Sequence, residues 1–145
     1  METTIGYKLL PHTTDAYVQA AGTTIEEAFA YAATALIDSM CNVGAVGGVL
    51  NEKLHVEAPS EILLLYNWLE LLLLKFEIER QVFSRFGALK ITRQTGKLIL
   101  DTDASGEIYD KEKHGAKVEV KAVTLHRMEV SQVGNLVVVR FILDL

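Results

Sequence analysis

The sequence predicts an α+β fold, a largely antiparallel sheet with two helices packed on it. Three observations carry this prediction. Two long segments, residues 24–40 and 60–81, repeat apolar side chains at helical spacing. The rest of the chain breaks into seven or eight short apolar runs at strand spacing. The late runs are joined by short turns, Thr95-Gly96 and Gly134-Asn135, and hairpin connections pair strands antiparallel.

Residues 7–10 form the first apolar run, and Pro11 turns the chain because the residue before a proline disfavours helix. Residues 15–21 resume as a weaker strand, rich in alanine and closed by Gly22. Thr24 and Glu27 then form a capping box, the Thr hydroxyl and the Glu carboxylate each taking an orphan amide at a helix start. Ala28, Phe29, Ala32, Leu36 and Met40 give that helix its buried face. Residues 43–49 hold three glycines and read as a loop. Residues 53–58 alternate Leu54 and Val56 with His55 and Glu57, a half-buried strand.

Pro59 and Ser60 open the second helix, with Ser60 as N-cap. Leu63, Tyr66, Trp68, Leu69, Leu71, Leu72 and Phe76 make it apolar on most of its circumference, so it belongs in the middle of the core. Its greasiest part, residues 62–74, is too short to span a bilayer and is interrupted by Asn67 and Glu70. After Gln81 the helical period stops, and residues 82–91 read as a strand with a break near Gly87. Residues 98–100 begin the return strand, and residues 109–115 read as a charged loop. Residues 118–130 form a strand on which Val118, Val120 and Ala122 share one face. Residues 136–143 make a nearly continuous apolar strand, followed by Asp144 and Leu145.

At 145 residues one domain, 1–145, is expected, large enough to bury about 68–70% of its unfolded surface. Half the residues are hydrophobic, which excludes a disordered chain. One cysteine, Cys41, excludes an internal disulfide framework and a cysteine-rich zinc site. With 14 Lys plus Arg against 19 Asp plus Glu, the net charge of −5 argues against broad binding to nucleic acid. No basic-then-apolar leader opens the chain, so a soluble cytoplasmic protein is expected.

Common catalytic signatures are absent: no phosphate-cradling Gly-Lys-Ser/Thr loop, no dinucleotide glycine fingerprint, no nucleophile elbow. Three polar constellations remain. Pro11-His12-Thr13-Thr14-Asp15 sets a histidine and a carboxylate in a turn, for which an Asx or Ser/Thr turn is the simpler account. Asp144 follows an apolar strand directly. If the first and last strands meet, Asp15, Asp144 and the oxygens of Leu145 converge, a set of hard donors suited to calcium, magnesium or manganese. A solvated aspartate is the alternative. Lys113, His114, Glu119 and Lys121 form the third group, either a surface charge ladder or a surface offered to a partner protein. His126 is expected in the core or hydrogen-bonded, His55 on the solvent side, and Cys41 as a small buried hydrophobe.

Taken in order, several stretches resemble the archease family. These are Tyr7-Lys8-Leu9-Leu10-Pro11-His12-Thr13-Thr14-Asp15, Thr24-Ile25-Glu26-Glu27-Ala28-Phe29, Tyr66-Asn67-Trp68-Leu69, Lys113-His114, the run from Glu119 to His126, and the ending Asp144-Leu145. The resemblance implies a protein that activates an RtcB-type tRNA-splicing RNA ligase. Such a protein promotes guanylylation of the ligase's active-site histidine, supports multiple turnover and broadens nucleotide use. It implies a metal site, often calcium, on Asp15, Asp144 and Leu145, and ligase-activating roles for Lys113, His114, Glu119 and Lys121, with His12 beside them. Thr14 and the Ala16-Tyr17 pair depart from the family pattern, and Leu145 stands where Ile is usual. A stand-alone metal-dependent hydrolase, with His12 as the nearby general base, and a chaperone-like binding module are the competing readings.

Overall fold

The structure, a computed structural model, describes residues 3–10 and 15–145. His12 and the rest of the Pro11-to-Thr14 turn lie outside the described residues. Among the described residues seven strands, all paired antiparallel, form two sheets. The first holds β1 (Gly6–Leu10), β2 (Ala16–Gly22), β7 (Leu136–Asp144) and β6 (Ala122–Val133), in that spatial order. The second holds β3 (Leu50–Ala58), β5 (Lys97–Ile108) and β4 (Gln81–Gln94). The sequence predicts one sheet, and the division into two follows from the helices. Both α1 (Ile25–Met40) and α2 (Glu61–Glu79) pack against strands of both sheets, so each helix must be apolar around much of its surface.

The helix starts follow local chemistry. Thr24 Oγ1 accepts from Glu27 N at 3.1 Å, while Glu27 Oε1 accepts from Thr23 N, one residue earlier than a strict capping box. Ser60 Oγ accepts from Leu63 N at 3.2 Å. Arg80 stops α2 in the left-handed conformation, φ 57°. Its guanidinium lies over the rings of Phe76 and Tyr109, at 4.6 and 5.2 Å.

The core runs from the inner faces of both sheets through the two helices. Trp68, Phe29, Phe83 and Phe141 are its largest fully buried side chains. Trp68 Nε1 donates to the Phe29 carbonyl at 3.1 Å, tying α2 to α1, and its ring meets the edge of Phe86 at 5.4 Å. Each such side chain contributes about 1.5–3 kcal/mol by leaving water. Cys41 is buried, and burial pushes its thiol pKa up, as suits a small hydrophobe.

Three local expectations change. The charged loop at 109–115 contains a short helix, α3 (Lys111–His114), capped by Asp110 accepting from Glu112 N. Strand β6 begins only at Ala122; of residues 118–121, Val120 alone is buried. His126 is exposed, because the pairing of β6 with β7 slips between Thr124 and Glu129 and Arg127 takes φ 57° there. That bulge removes the strict alternation that would carry residue 126 inward. No described helix is long and apolar enough to cross a membrane.

Candidate functional site

Strand β7 lies between β2 and β6, so its end is flanked on both sides. Ala16 pairs with Leu143, and Ala122 pairs with Asp144. Asp15 and Asp144 are the next residues beyond the Ala16–Leu143 pair. Carrying the antiparallel register one step further sets them opposite each other on one face. On the other side, Lys121 N donates to the Asp144 carbonyl at 2.7 Å.

A cavity of about 440 Å³ opens beside this edge. Asp15 and Leu145 line it, together with Tyr7 and Leu9 of β1, Asp38 of α1, and Lys117. Both Asp38 oxygens are occupied. Tyr7 Oη donates to Oδ2 at 3.2 Å, Lys117 Nζ to Oδ1 at 3.0 Å, and Val43 N to Oδ1 at 3.4 Å. One carboxylate thus joins β1, α1, the turn after α1 and the segment before β6. Partial burial and then the Asp38 charge push the Tyr7 hydroxyl pKa up.

Residues 115–121 run as an extended wall without strand partners along most of their length. Lys117 N donates to Met40 O at 2.9 Å and Val118 N to Ser39 O at 3.2 Å, closing the last carbonyls of α1. A second cavity, of about 650 Å³, also borders this wall. Glu119 and Lys121 line it with Arg80, Tyr109 and Lys111, while Lys117 and Val118 line both cavities. The expectation that Glu119 and Lys121 stand on one surface agrees with this placement, although a wall and not a strand carries them.

Lys113 and His114 sit elsewhere, on α3, and bind one carboxylate. Lys113 Nζ donates to the two oxygens of Glu107 at 2.8 and 2.7 Å, and His114 Nε2 lies 3.1 Å from Oε1. Gly47 N donates to the same Oε1. Lys113 is about half exposed, but the His114 ring is 1% exposed and stacked on Tyr109. The expectation that His114 faces a partner therefore meets a buried ring that braces α3. Lys113, then the Gly47 amide and then His114 hold the Glu107 carboxyl well below the usual range, at about 2.

The predicted residues thus fall in two groups. Asp15, Asp144 and Leu145 meet at the end of β7, with Glu119 and Lys121 beside them. Lys113 and His114 belong to the Glu107 corner. Among the described residues, no three His, Cys, Asp or Glu side chains are gathered closely enough to hold a metal between them. A cation at the β7 edge would need the backbone oxygens of Leu145 as well as the two aspartates, an all-oxygen set that fits a hard ion. Sequence reasoning missed Asp38, Lys117 and Glu107. Each looks like an ordinary surface charge, and its partners lie up to 79 residues away. The 43–49 loop offers no side chains to carry chemistry, and what it contributes is a backbone group, the Gly47 amide that binds Glu107.

Comparison with known proteins places this geometry in a family. The sequence model of the archease protein family matches residues 7–145. The chain is 41% identical over 124 residues to the archease of Pyrococcus furiosus, covering 86% of this chain and 87% of that one. It is 36% identical over 140 residues to the archease of Pyrobaculum neutrophilum, covering 96% and 95%. The solution structure of protein 1598 of Methanobacterium thermoautotrophicum superimposes with a TM-score of 0.84 at 36% identity, over 97% of this chain and 99% of that one. A crystal structure of an archease from Thermotoga maritima, described as a possible chaperone, shares the fold at a TM-score of 0.57 and 17% identity, over 100% and 98%. The match over nearly the whole length, in sequence and in fold, means that this chain belongs to the archease family.

Proposed function

We propose that this protein activates an RtcB-type tRNA-splicing RNA ligase, promoting guanylylation of the ligase's active-site histidine and so supporting repeated turnover. The observation that carries the reading is the convergence at the end of β7. Asp15 and Asp144 flank the Ala16–Leu143 pair, and the wall bearing Glu119 and Lys121 is hydrogen-bonded to Asp144. Oxygen donors and partner-facing charges therefore share one edge, which can enter a nucleotide site as a unit.

In this reading Asp15, Asp144 and the backbone oxygens of Leu145 hold a divalent cation, calcium or alternatively magnesium or manganese. Bound there, the cation supplies positive charge against triphosphate oxygens. Glu119 and Lys121 contact the ligase and set the angle of entry. The wall keeps those side chains in register with Asp144 because its own amides are fixed to α1 and β7. The net charge of −5 favours approach to a basic RNA channel and makes extensive phosphate contact by this chain itself unfavourable.

The test is guanylylation of an RtcB-type ligase at limiting nucleotide, with and without the protein. A rate increase that Asp144→Ala removes is the expected result. An active ligase that the protein does not stimulate overturns the reading.

A second reading, a chaperone-like binding module, draws on an exposed apolar row, Ile5 just before β1 and Tyr7 and Leu9 on it, along the outermost strand of its sheet. It predicts suppression of aggregation of an unrelated unfolding protein. The ligase reading predicts none. Turnover of a phosphate ester by the purified chain alone would instead favour a stand-alone hydrolase.

A further inference from the structure

Glu107, next to last in β5, carries a carboxylate that is only 14% exposed and is held by three residues. Its partners come from two separate segments: Gly47 from the loop after α1, and Lys113 and His114 from α3. The His114 carbonyl closes the same corner by accepting from Asn42 N at 2.8 Å. Three further features show a built arrangement.

The first is the state of the His114 ring. Its Nδ1 accepts from the backbone N–H of Asp110 at 3.0 Å. An amide can only donate, so Nδ1 carries no proton and the neutral ring holds its proton on Nε2, directed at Glu107. The second is Gly47. A Cβ added there would stand 3.1 Å from Glu107 Oε1 and 3.2 Å from its Cδ, so a side chain would push the carboxylate away. The third is Lys113, the exposed member of the pair. Its ammonium is shared between both Glu107 oxygens and is not left to roam on a four-carbon stem.

We propose that Glu107 is a positioning residue, holding Lys113 in the one geometry from which it engages the ligase, with His114 and Gly47 as its braces. This rests on the ligase-activator reading and adds to it a residue with no direct part in partner contact. Free in solution, a lysine ammonium samples many rotamers, and fixing it beforehand lowers the ordering cost of binding. Lys113 and Glu107 should therefore act as one unit.

The experiment uses the full chain and four variants: Glu107→Gln, Lys113→Ala, the double variant, and Lys53→Ala. Lys53 is a remote lysine paired with Asp103. Glu107→Gln keeps an oxygen for Gly47 N and His114 while removing the charge that holds Lys113. Stimulation of ligase guanylylation, the melting temperature, and the ¹⁵N signals of the His114 ring and Lys113 Nζ are read together. Each single variant is expected to cut stimulation about tenfold, and the double variant no further than the worse single, because coupled residues are not additive. Glu107→Gln is expected to lower the melting temperature but to stay folded at the assay temperature with the Nε2-protonated ring kept, while the Lys113 ammonium signal becomes fast-exchanging. Lys53→Ala is expected to behave as wild type.

Wild-type stimulation by Glu107→Gln or by Lys113→Ala overturns the proposal, as do losses that multiply in the double variant. A fall in melting temperature that accounts for the lost stimulation reduces Glu107 to a purely structural group and also overturns it. If the unaltered protein does not stimulate the ligase, the activator reading fails and takes the role of Lys113 with it. The ring and ammonium signals then report separately whether Glu107 holds the pair.

Discussion

Lys121 donates its backbone N–H to the carbonyl of Asp144 across 2.7 Å, joining the last strand to a segment that has left regular structure. Residues 115–121 are otherwise held by two amides on the end of α1, by the Lys117–Asp38 ion pair, by Gly115, whose N–H donates to the Lys111 carbonyl and whose carbonyl accepts from the Tyr109 hydroxyl, and by the buried Val120 side chain. The wall that borders both cavities is thus built on a few specific bonds and, Val120 apart, little burial. Regions of that kind open locally before the rest of a protein unfolds.

Asp38→Ala should loosen this wall more than Lys117→Ala. The lysine variant removes one half-exposed ion pair, which contributes about 0–1 kcal/mol. The aspartate variant also strands the Tyr7 hydroxyl and the Val43 amide and should cost about 1–3 kcal/mol. Urea unfolding gives the two costs, and amide hydrogen exchange at Lys117 and Val118 shows whether protection falls there first. Equal costs for the two variants would mean that Asp38 is not the joint described above.

Gly106→Ala should prevent folding. A Cβ at Gly106 would collide with the Val82 carbonyl oxygen and stand 2.8 Å from the Phe83 Cα, all backbone of the neighbouring strand. Rigid backbone cannot yield as a side chain does, so the cost should exceed about 4 kcal/mol. Gly48→Ala is the matched control, since its Cβ would meet only Ser105 Cβ at 3.7 Å. Soluble yield and circular dichroism of the two variants check the contrast.

Trp68→Phe should destabilise by about 2–4 kcal/mol. It opens space in a fully buried site and removes the indole N–H that reaches the Phe29 carbonyl between the two helices. Denaturant titration measures the loss. A cost below about 1 kcal/mol would mean that the core closes over the vacancy without strain.

Two groups give opposite pH signatures. The His55 pKa is raised, by its hydrogen bond to Asp101 and then by that to Glu57, each at 2.7 Å. Its stabilising contribution is complete below the unfolded value near 6.5 and is lost as pH rises through the higher folded value. The ring is half exposed, so the effect is small and weakens with salt. Glu107 is the reverse case. Its contribution is complete above the unfolded value of 4.5 and is lost as pH falls toward about 2. Denaturant midpoints measured from pH 2 to 9 should therefore fall less steeply in acid for Glu107→Gln, and less above neutrality for His55→Gln. Profiles parallel to the wild type at both ends would contradict these assignments.

Cation binding at the β7 edge should appear as thermal stabilisation. At one hundred times the dissociation constant an ion that binds only the folded chain adds about 2.7 kcal/mol. Calcium should raise the melting temperature, a chelator should reverse the rise, and Asp15→Asn or Asp144→Asn should abolish it. A rise of the same size in both variants would place any bound ion elsewhere.

Much of this was legible in the residues. Thr24 and Ser60 mark helix starts because capping is local chemistry, decided within four positions. Thr95-Gly96 and Gly134-Asn135 mark hairpins, and both glycines take positive φ, 76° and 59°. Gly87 was read as a break, and the pairing of β4 with β5 slips between Gly87 and Lys90. The Glu107 corner was not legible. Its donors come from positions 47, 113 and 114; Lys113 and His114 are neighbours, but nothing in their local pattern points to Gly47 or to Glu107. His126 was misread for a related reason: a bulge depends on how β6 meets β7, and alternation within one strand cannot reveal it.

The sequence by itself determined the two long helices, most of the strands, their order, the antiparallel pairing and the list of residues worth watching, because periodicity, caps and turns depend on near neighbours. Only the tertiary structure decided that the strands divide into two sheets around the helices. It alone set β7 beside β2, so that Asp15 comes to Asp144, and it alone turned the His114 ring inward onto Glu107 while leaving Lys113 at the surface. The reason is physical. Long-range pairing is settled by the burial of whole faces at once, and one carboxylate gains its partners only after the chain has closed around it.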